Sequence, residues 1–231
     1  MPHRLICGIF AVVVFIFCLL LPQAHATRFL DTLRPTPQTD ALYITMLFHK
    51  MAGYQPDFDL WVKSSEEYQR TPSPQKTAYM NERLDVFYDY YTRVSPEDPI
   101  VVHIDMRLEP YDAEAGGFPV SGINQEVFFR YTHQGGHFAV IPTNIEEYKV
   151  YRMPLREMQR RAPGFNTERG GMVTLHFHMT PHSINTEHPA LLSNIPHWML
   201  AAEIHEVQLW SQGSRRPLWI WNKAESRYHE E

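Results

Sequence analysis

The period of the apolar residues changes once along this chain, at Ile100, and that change restricts the fold more than any other feature of the sequence. Before it, Ile44, Leu47, Phe48 and Met51 recur at helical spacing, as do Met80, Leu84, Phe87 and Tyr91. After it, Ile100, Val102, Ile104, Met106 and Leu108 alternate with Val101, His103, Asp105, Arg107 and Glu109, which is the two-residue period of a strand with one buried face. The same alternation returns at Val173, Leu175, Phe177 and Met179, with Thr174, His176, His178 and Thr180 between them. Helices first and then consecutive strands, without regular β-α alternation, predict one α+β domain. Its helical part covers about 38–93 and its sheet part about 99–222, with the N-terminal helices packed on one face of a largely antiparallel sheet.

Local signals refine that outline. Thr39 or Asp40 can cap the first helix, and Gly53 ends it. A second helix is expected from Asp57 to about Arg70, carrying Leu60, Trp61 and Tyr68. A third begins at Ser73, with Pro74 where a missing N–H costs nothing, and stops at Ser95-Pro96 and Pro99. Further strands are expected near 125–132, 137–142, 145–153, 198–210 and 217–222, with a short helix at Leu155–Arg161. The glycine pairs Gly116-Gly117, Gly135-Gly136 and Gly170-Gly171 each precede such a segment, as turns needing positive φ require. The segment 181–196, with its prolines and asparagines, reads as the longest connection, and it carries His182 and His188.

The N-terminus reads as an export leader. Arg4 is followed by an uncharged apolar run from Leu5 to Leu21, Pro22 breaks it, and Ala24-His25-Ala26 supplies the small-x-small pattern that places cleavage after Ala26. An uncleaved anchor is the alternative, since the run lies at the short end of what spans a bilayer. Neither Cys7 nor Cys18 sits at the cut, which argues against a lipoprotein. Both cysteines fall within the leader, so a mature chain starting at Thr27 has no disulfide, no thiolate metal ligand and no cysteine nucleophile. Cleavage leaves about 205 residues, enough for a sizeable core without stable membrane insertion. Removing Arg4 from 21 basic residues, against 26 acidic ones, leaves no basic stripe, so nucleic acid is not an expected partner. With no Asn-x-Ser/Thr sequon and a short leucine-rich leader, the periplasm of a bacterium fits better than a eukaryotic secretory route.

Histidine is the abundant chemical residue type: of 13, only His3 and His25 fall in the leader. His176 and His178 lie two apart on a strand and project from one face, where a divalent metal such as zinc could be held with His103, Asp105, Glu203 or His205 from neighbouring strands. The bland alternative is a solvated polar face. His133 and His137 flank Gly135-Gly136, so a tight hairpin is expected to bring them together at its tip. Trp219 and Trp221 share a strand face on which a sugar or peptide could stack, with Trp210 as a third member, unless they are sheet cover.

Familiar catalytic signatures fail one at a time. There is no Gly-x-Ser-x-Gly elbow, and His205-Glu206-Val207-Gln208-Leu209 lacks the second histidine of a zincin helix. Ser73-Pro74-Gln75-Lys76 matches Ser-x-x-Lys, but nothing like its Ser-Asp-Asn or Lys-Thr-Gly partners follows. No phosphate loop or dinucleotide fingerprint occurs, so nucleotide cofactors have no support.

Tyr54, Phe58-Asp59-Leu60-Trp61, the strand through Leu108-Glu109-Pro110-Tyr111-Asp112 and then Phe118-Pro119 resemble, in that order, an exported bacterial family described only as a domain of unknown function. The resemblance covers about the first half of the mature chain. It implies an envelope protein with helices before a sheet, and it transfers no functional residue. Two function classes follow from the whole sequence: a non-catalytic periplasmic binding protein with an envelope protein or glycan as partner, and a metal-dependent hydrolase working from the histidine face.

Overall fold

The computed structural model describes residues 38–211 and 214–222. The chain divides into two units, Met1–Thr36 and Pro37–Glu231, and every described residue belongs to the second. The leader with its cleavage point, the lead-in at Arg34–Pro37 and the charged tail from Ala224 lie outside the described residues. Helices and a large, mostly antiparallel sheet make up the described part. Among the described residues no helix is long and apolar enough to cross a membrane.

Helix α1 is Ala41–Met51, with the Asp40 carboxylate accepting from the Tyr43 N–H at its start. The second predicted helix is two: α2 (Phe58–Ser64) and α3 (Glu66–Arg70). Ser65 separates them because its backbone is extended, and its hydroxyl caps α3 by accepting from the Tyr68 N–H. A 3-10 turn at Ser73–Gln75 then leads into α4 (Lys76–Arg93).

The sheet is built from β1 (Ile100–Leu108), β3 (Phe129–His133), β4 (Gly136–Pro142), β6 (Gly171–Ile184), β7 (Ala190–Leu192), β8 (Ile195–Trp210) and β9 (Trp219–Asn222). Its order is β1-β6-β8-β4-β3, with β7 and β9 also pairing to β8. The β4–β8 pairing is parallel and all the others are antiparallel. A separate ribbon joins β2 (Phe118–Pro119) to β5 (Val150–Tyr151), and α5 (Leu155–Arg161) follows at the predicted place.

Three predicted segments differ. The strand expected near 125–132 begins only at Phe129. Of the strand expected over 145–153 only Val150–Tyr151 forms, as β5, and a 3-10 turn occupies Ile145–Tyr148. The Asn144 side chain explains it, because it donates to the Ile204 carbonyl and accepts from the Ile204 N–H, replacing backbone pairing with β8 just after β4 ends. The predicted connection 181–196 is instead largely strand, since β6 runs on to Ile184 and a tight turn at Ser193-Asn194, both at positive φ, joins β7 to β8.

The core lies on the side of Val102, Met106, Leu175, Phe177, Met179, Ile204, Val207 and Leu209, all buried. Phe48 of α1 meets the rings of Phe138 and Trp198 at 5.3 and 5.8 Å. Ile104, expected in the core, is only half-buried and packs at its margin. Gly170, at φ +69°, opens β6 where a Cβ would lie 2.0 Å from the Leu108 carbonyl oxygen, so only glycine lets β6 start beside the end of β1.

Candidate functional site

Register decides which side chains meet on the sheet. His103 is paired with His176, and Val101 with His178, across β1 and β6. His176 and His178 are in turn opposite Gln208 and Glu206 of β8. The alternation therefore places His103, His176, His178, Glu206 and Gln208 on the face opposite the core, as their spacing predicts. Their exposure differs from the expectation of a solvated face: His176 is 4% exposed and His178 8%.

A β-bulge adds the residue that strict alternation would have turned inward. Between the pairs His178–Glu206 and Met179–Ile204 the register steps by one, so Val207 and Ile204 both enter the core while His205 and Glu206 both stay on the opposite face. A second irregularity, between Pro181 and Ser183, leaves His182 as the extra residue on β6. Both steps place a histidine at the irregular position.

The rings form a stack across three strands. His103 lies on His176 with centroids 3.6 Å apart and planes 15° apart, and Trp210 covers the other side of His176 at 5.1 Å and 20°. Beside the stack runs a ladder of hydrogen bonds along β8. The Trp210 indole N–H donates to Gln208 Oε1 at 3.1 Å, and Gln208 Nε2 donates to Glu206 Oε1 at 2.7 Å. That carboxylate oxygen is 3.8 Å from His178 Nε2. The His178 and His205 rings meet edge to face at 6.5 Å, and Thr180 Oγ1 and His205 Nδ1 share a hydrogen bond of 3.2 Å.

Burial sets the electrostatics. Desolvation first, then the neighbouring His103 and His178, push His176 down to about 4. Desolvation also lowers His178, against the pull of Glu206, with His205 and His103 adding to the lowering. His205 is lowered by burial too, with Glu206 and Glu203 opposing. His176 Nδ1 and His178 Nε2 are buried and make no hydrogen bond. Burial thus favours the neutral imidazole at His176, His178 and His205, in which one ring nitrogen donates and the other accepts.

The predicted metal set of His176, His178, His103, Asp105 and His205 does share this face. Asp105 is set apart, accepting a 2.6 Å hydrogen bond from Thr174 Oγ1 two residues along from the stack. Stacking brings imidazoles face to face, whereas ligation needs ring nitrogens aimed at one point. Among the described residues no three or more His, Cys, Asp or Glu side chains are grouped so as to hold a metal ion.

His133 and His137 do not meet at the hairpin tip. The turn at Gln134-Gly135, both at positive φ, pairs His133 with Gly136 and His137 with Thr132, so the two rings leave opposite faces. His133 packs on Trp61 at 5.1 Å, and His137 bonds Thr132 Oγ1 at 3.1 Å and faces His197 at 5.5 Å. His133 belongs to a second cluster, in which His49 touches Tyr54, Trp61 and Phe138. His49, missed in the sequence reading, sits on the apolar side of α1, and the presence of a histidine there was the available signal.

Trp219 and Trp221 share a face, opposite Leu209 and Val207 on the core side. The Tyr148 ring stands edge-on to Trp221 at 4.8 Å, and the Arg161 guanidinium lies over Trp219 at 4.9 Å. Trp210 does not join them, because it has the other parity on β8 and faces His176. His182 and His188 are both exposed, the former 3.5 Å from Thr143 Oγ1.

No family model, no curated protein and no solved structure matches this chain.

Proposed function

We propose that the chain is an exported, periplasmic binding protein of the bacterial envelope, non-catalytic, and that the histidine face of β1, β6 and β8 is the surface it binds with. The observation that carries this reading is the ordered polar face itself: a ring stack and a hydrogen-bond ladder hold His176, His178, Gln208 and Trp210 almost fully buried on the side of the sheet away from the core. A face that only met solvent would have no need of such order. Its exposed members, Thr180, Glu203 and His205, sit next to the ladder and are the groups a partner can touch. In this reading the helices lie over the opposite, apolar face, to which the contacts of Phe48 with Phe138 and Trp198 lend support.

Site-specific photo-crosslinking in intact bacterial cells tests the proposal. A crosslinker at Thr180 or Glu203 is expected to capture one defined periplasmic or outer-envelope component, and a crosslinker at the exposed Val86 of α4 is expected to capture none. Retention of the protein in the cytoplasm, or equal capture from both positions, would overturn it. Elemental analysis of untagged protein addresses the hydrolase alternative: near-stoichiometric zinc, manganese or iron, lost in a His176→Ala/His178→Ala double variant, would replace the binding reading with that one.

A further inference from the structure

At the end of β8 away from Trp210, two further histidines share the side of the sheet opposite the core. His197 lies near the start of β8 and His137 near the start of β4, and they directly precede Trp198 and Phe138, the first pair in the parallel register of the two strands. Phe138 and Trp198 turn to the core, where Phe48 of α1 meets both rings, so the backbone beneath the two histidines is held from the other side. His197 is 2% exposed and His137 is half-buried.

Each ring is anchored through one nitrogen. His197 Nδ1 donates to the Ile195 carbonyl at 2.8 Å, and because a carbonyl only accepts, the neutral ring carries its lone pair on Nε2. His137 Nδ1 is 3.1 Å from Thr132 Oγ1, a hydroxyl able to accept from it, and that arrangement puts the lone pair of His137 on Nε2 as well. A hydrogen bond at the far nitrogen is what fixes the tautomer and orientation of a histidine that ligates a metal. The two ring centroids are 5.5 Å apart, with planes at 54°. Two imidazoles that hold one ion at about 2.0–2.1 Å, at the angle of a tetrahedral or trigonal site, have centroids about 5–5.5 Å apart. The His103–His176 stack, at 3.6 Å, is too close for that, and His178 and His205, at 6.5 Å, are too far apart.

A third donor lies beside the pair. Met199, half-buried, is two residues on from His197 on the same face, about 7 Å along the strand and within the reach of an unbranched thioether side chain. Ala139 is its partner on β4, and Ala190 of β7 is opposite His197, so the neighbours in register are small. Arg130, exposed and opposite Ala139 on β3, is the charged side chain that these pairings bring alongside.

We propose that His137, His197 and Met199 form a binding site for one cuprous ion. A thioether is a soft, uncharged ligand that selects copper(I), and imidazole suits copper as well. The set brings no negative charge to balance a divalent ion, and Arg130 adds positive charge nearby, so a monovalent ion fits it better than zinc. Two imidazoles and a thioether are not a group of three His, Cys, Asp or Glu side chains, the kind absent among the described residues. The inference goes beyond the binding reading and does not rest on it, since the site lies at the other end of β8 from the ladder of Glu206, Gln208 and Trp210.

Anaerobic competition for copper(I) between the untagged full chain and a chromophoric chelator tests the site. One equivalent per chain is expected to leave the chelator, and X-ray absorption at the copper edge is expected to show two nitrogen neighbours and one sulfur. Met199→Leu should remove the sulfur signal. His137→Gln and His197→Gln should each weaken copper(I) by at least the roughly 10–100-fold that outer-shell partners of a metal carry. A His176→Ala/His178→Ala double variant should compete as well as the parent. Should the buried His197→Gln fail to fold, the half-buried His137→Gln and the spectrum of the parent protein still decide. No competition with the chelator, a sulfur-free spectrum, or unchanged affinity in a folded His137→Gln protein would overturn the proposal. So would loss of copper in the His176→Ala/His178→Ala variant instead. Capture of a partner at Thr180 or Glu203 tests the binding reading separately, so the two can fail independently.

Discussion

The molecule holds two histidine clusters that burial treats alike and their neighbours treat differently. On the helix side, His49 and His133 lie among Tyr54, Trp61 and Phe138; on the sheet face, His103, His176, His178 and His205 lie among one another with Glu206 alongside. Both sets contain ring nitrogens that are buried without a hydrogen bond, at His49 Nδ1 and His133 Nε2 in one and at His176 Nδ1 and His178 Nε2 in the other. Desolvation lowers His49 and His133, with Asp40 pulling His133 back up, and no other histidine is involved. On the sheet face the other histidines add to desolvation, and His176 reaches about 4. Burial alone makes a histidine neutral; burial beside other histidines makes their titrations depend on each other.

The largest expected effect probes the layer between the clusters. Phe177→Ala should cost about 3–5 kcal/mol in urea unfolding, because Phe177 is almost fully buried between His176 and His178 but on the opposite face. The cost should be the same at pH 7.5 and pH 5.5. A strongly pH-dependent cost would mean that the two faces are not independent and would blur the comparison.

Acid comes next. A histidine whose pKa is lowered on folding binds its proton more readily in the unfolded chain, so stability should fall as pH drops below the ordinary value of 6.5 and continue falling to about 4. His176 alone contributes on the order of 3 kcal/mol over that window. Urea midpoints at pH 7.5, 6, 5 and 4 measure it, and His176→Gln should flatten the curve. A double-mutant cycle sharpens the contrast: His103 and His176 should be coupled at pH 4.5 more unfavourably than at pH 7.5, while His49 and His133 should show little coupling at either.

Smaller still is the effect of replacing one helix-side ring by an apolar side chain. His133→Leu removes a buried nitrogen that has no hydrogen bond, so stability at pH 7.5 should change by less than about 1 kcal/mol and improve slightly in acid. The smallest effect is expected at Glu206→Gln, which removes the carboxylate that favours charged His178. NMR titration of the His178 ring should shift to lower pH, with little change in stability at pH 7.5; a shift to higher pH would show that the carboxylate does not govern that ring.

The alternation that assigned His103, His176 and His178 to one face was readable because β1 and β6 are regular there, and two-residue periodicity needs no knowledge of the partner strand. His205 could be counted with them only as a candidate, since its facing depends on a register step in the pairing of β8 with β6, which periodicity within β8 does not encode. Burial of His176 was not legible for a related reason: the indole that covers it lies on β8, far along the chain, diagonal across the register. The hairpin at Gln134-Gly135 was readable from its glycines, but proximity of His133 and His137 was not, because a two-residue turn pairs them with different partners and sends them to opposite faces. Helix α1 came from capping and spacing, whereas the break at Ser65 hides in a residue that is equally at home inside a helix or at its cap.

Strand β8 has one further consequence, which concerns the order in which the chain becomes available for folding. It pairs with β6 and β7 on antiparallel ladders, with β9 on another and with β4 in parallel, so four strands are joined through it. Apart from the short β9, it is the last in chain order of the strands among the described residues. Until residues from Ile195 onward have emerged, the nascent chain has only two separate pieces of this sheet, the β3–β4 hairpin and a β1–β6 ribbon closed over a long loop, with nothing to connect them. Such distant pairing makes folding slow, and a chain stopped before Ile195 would leave the edges of both pieces open to any other strand in reach.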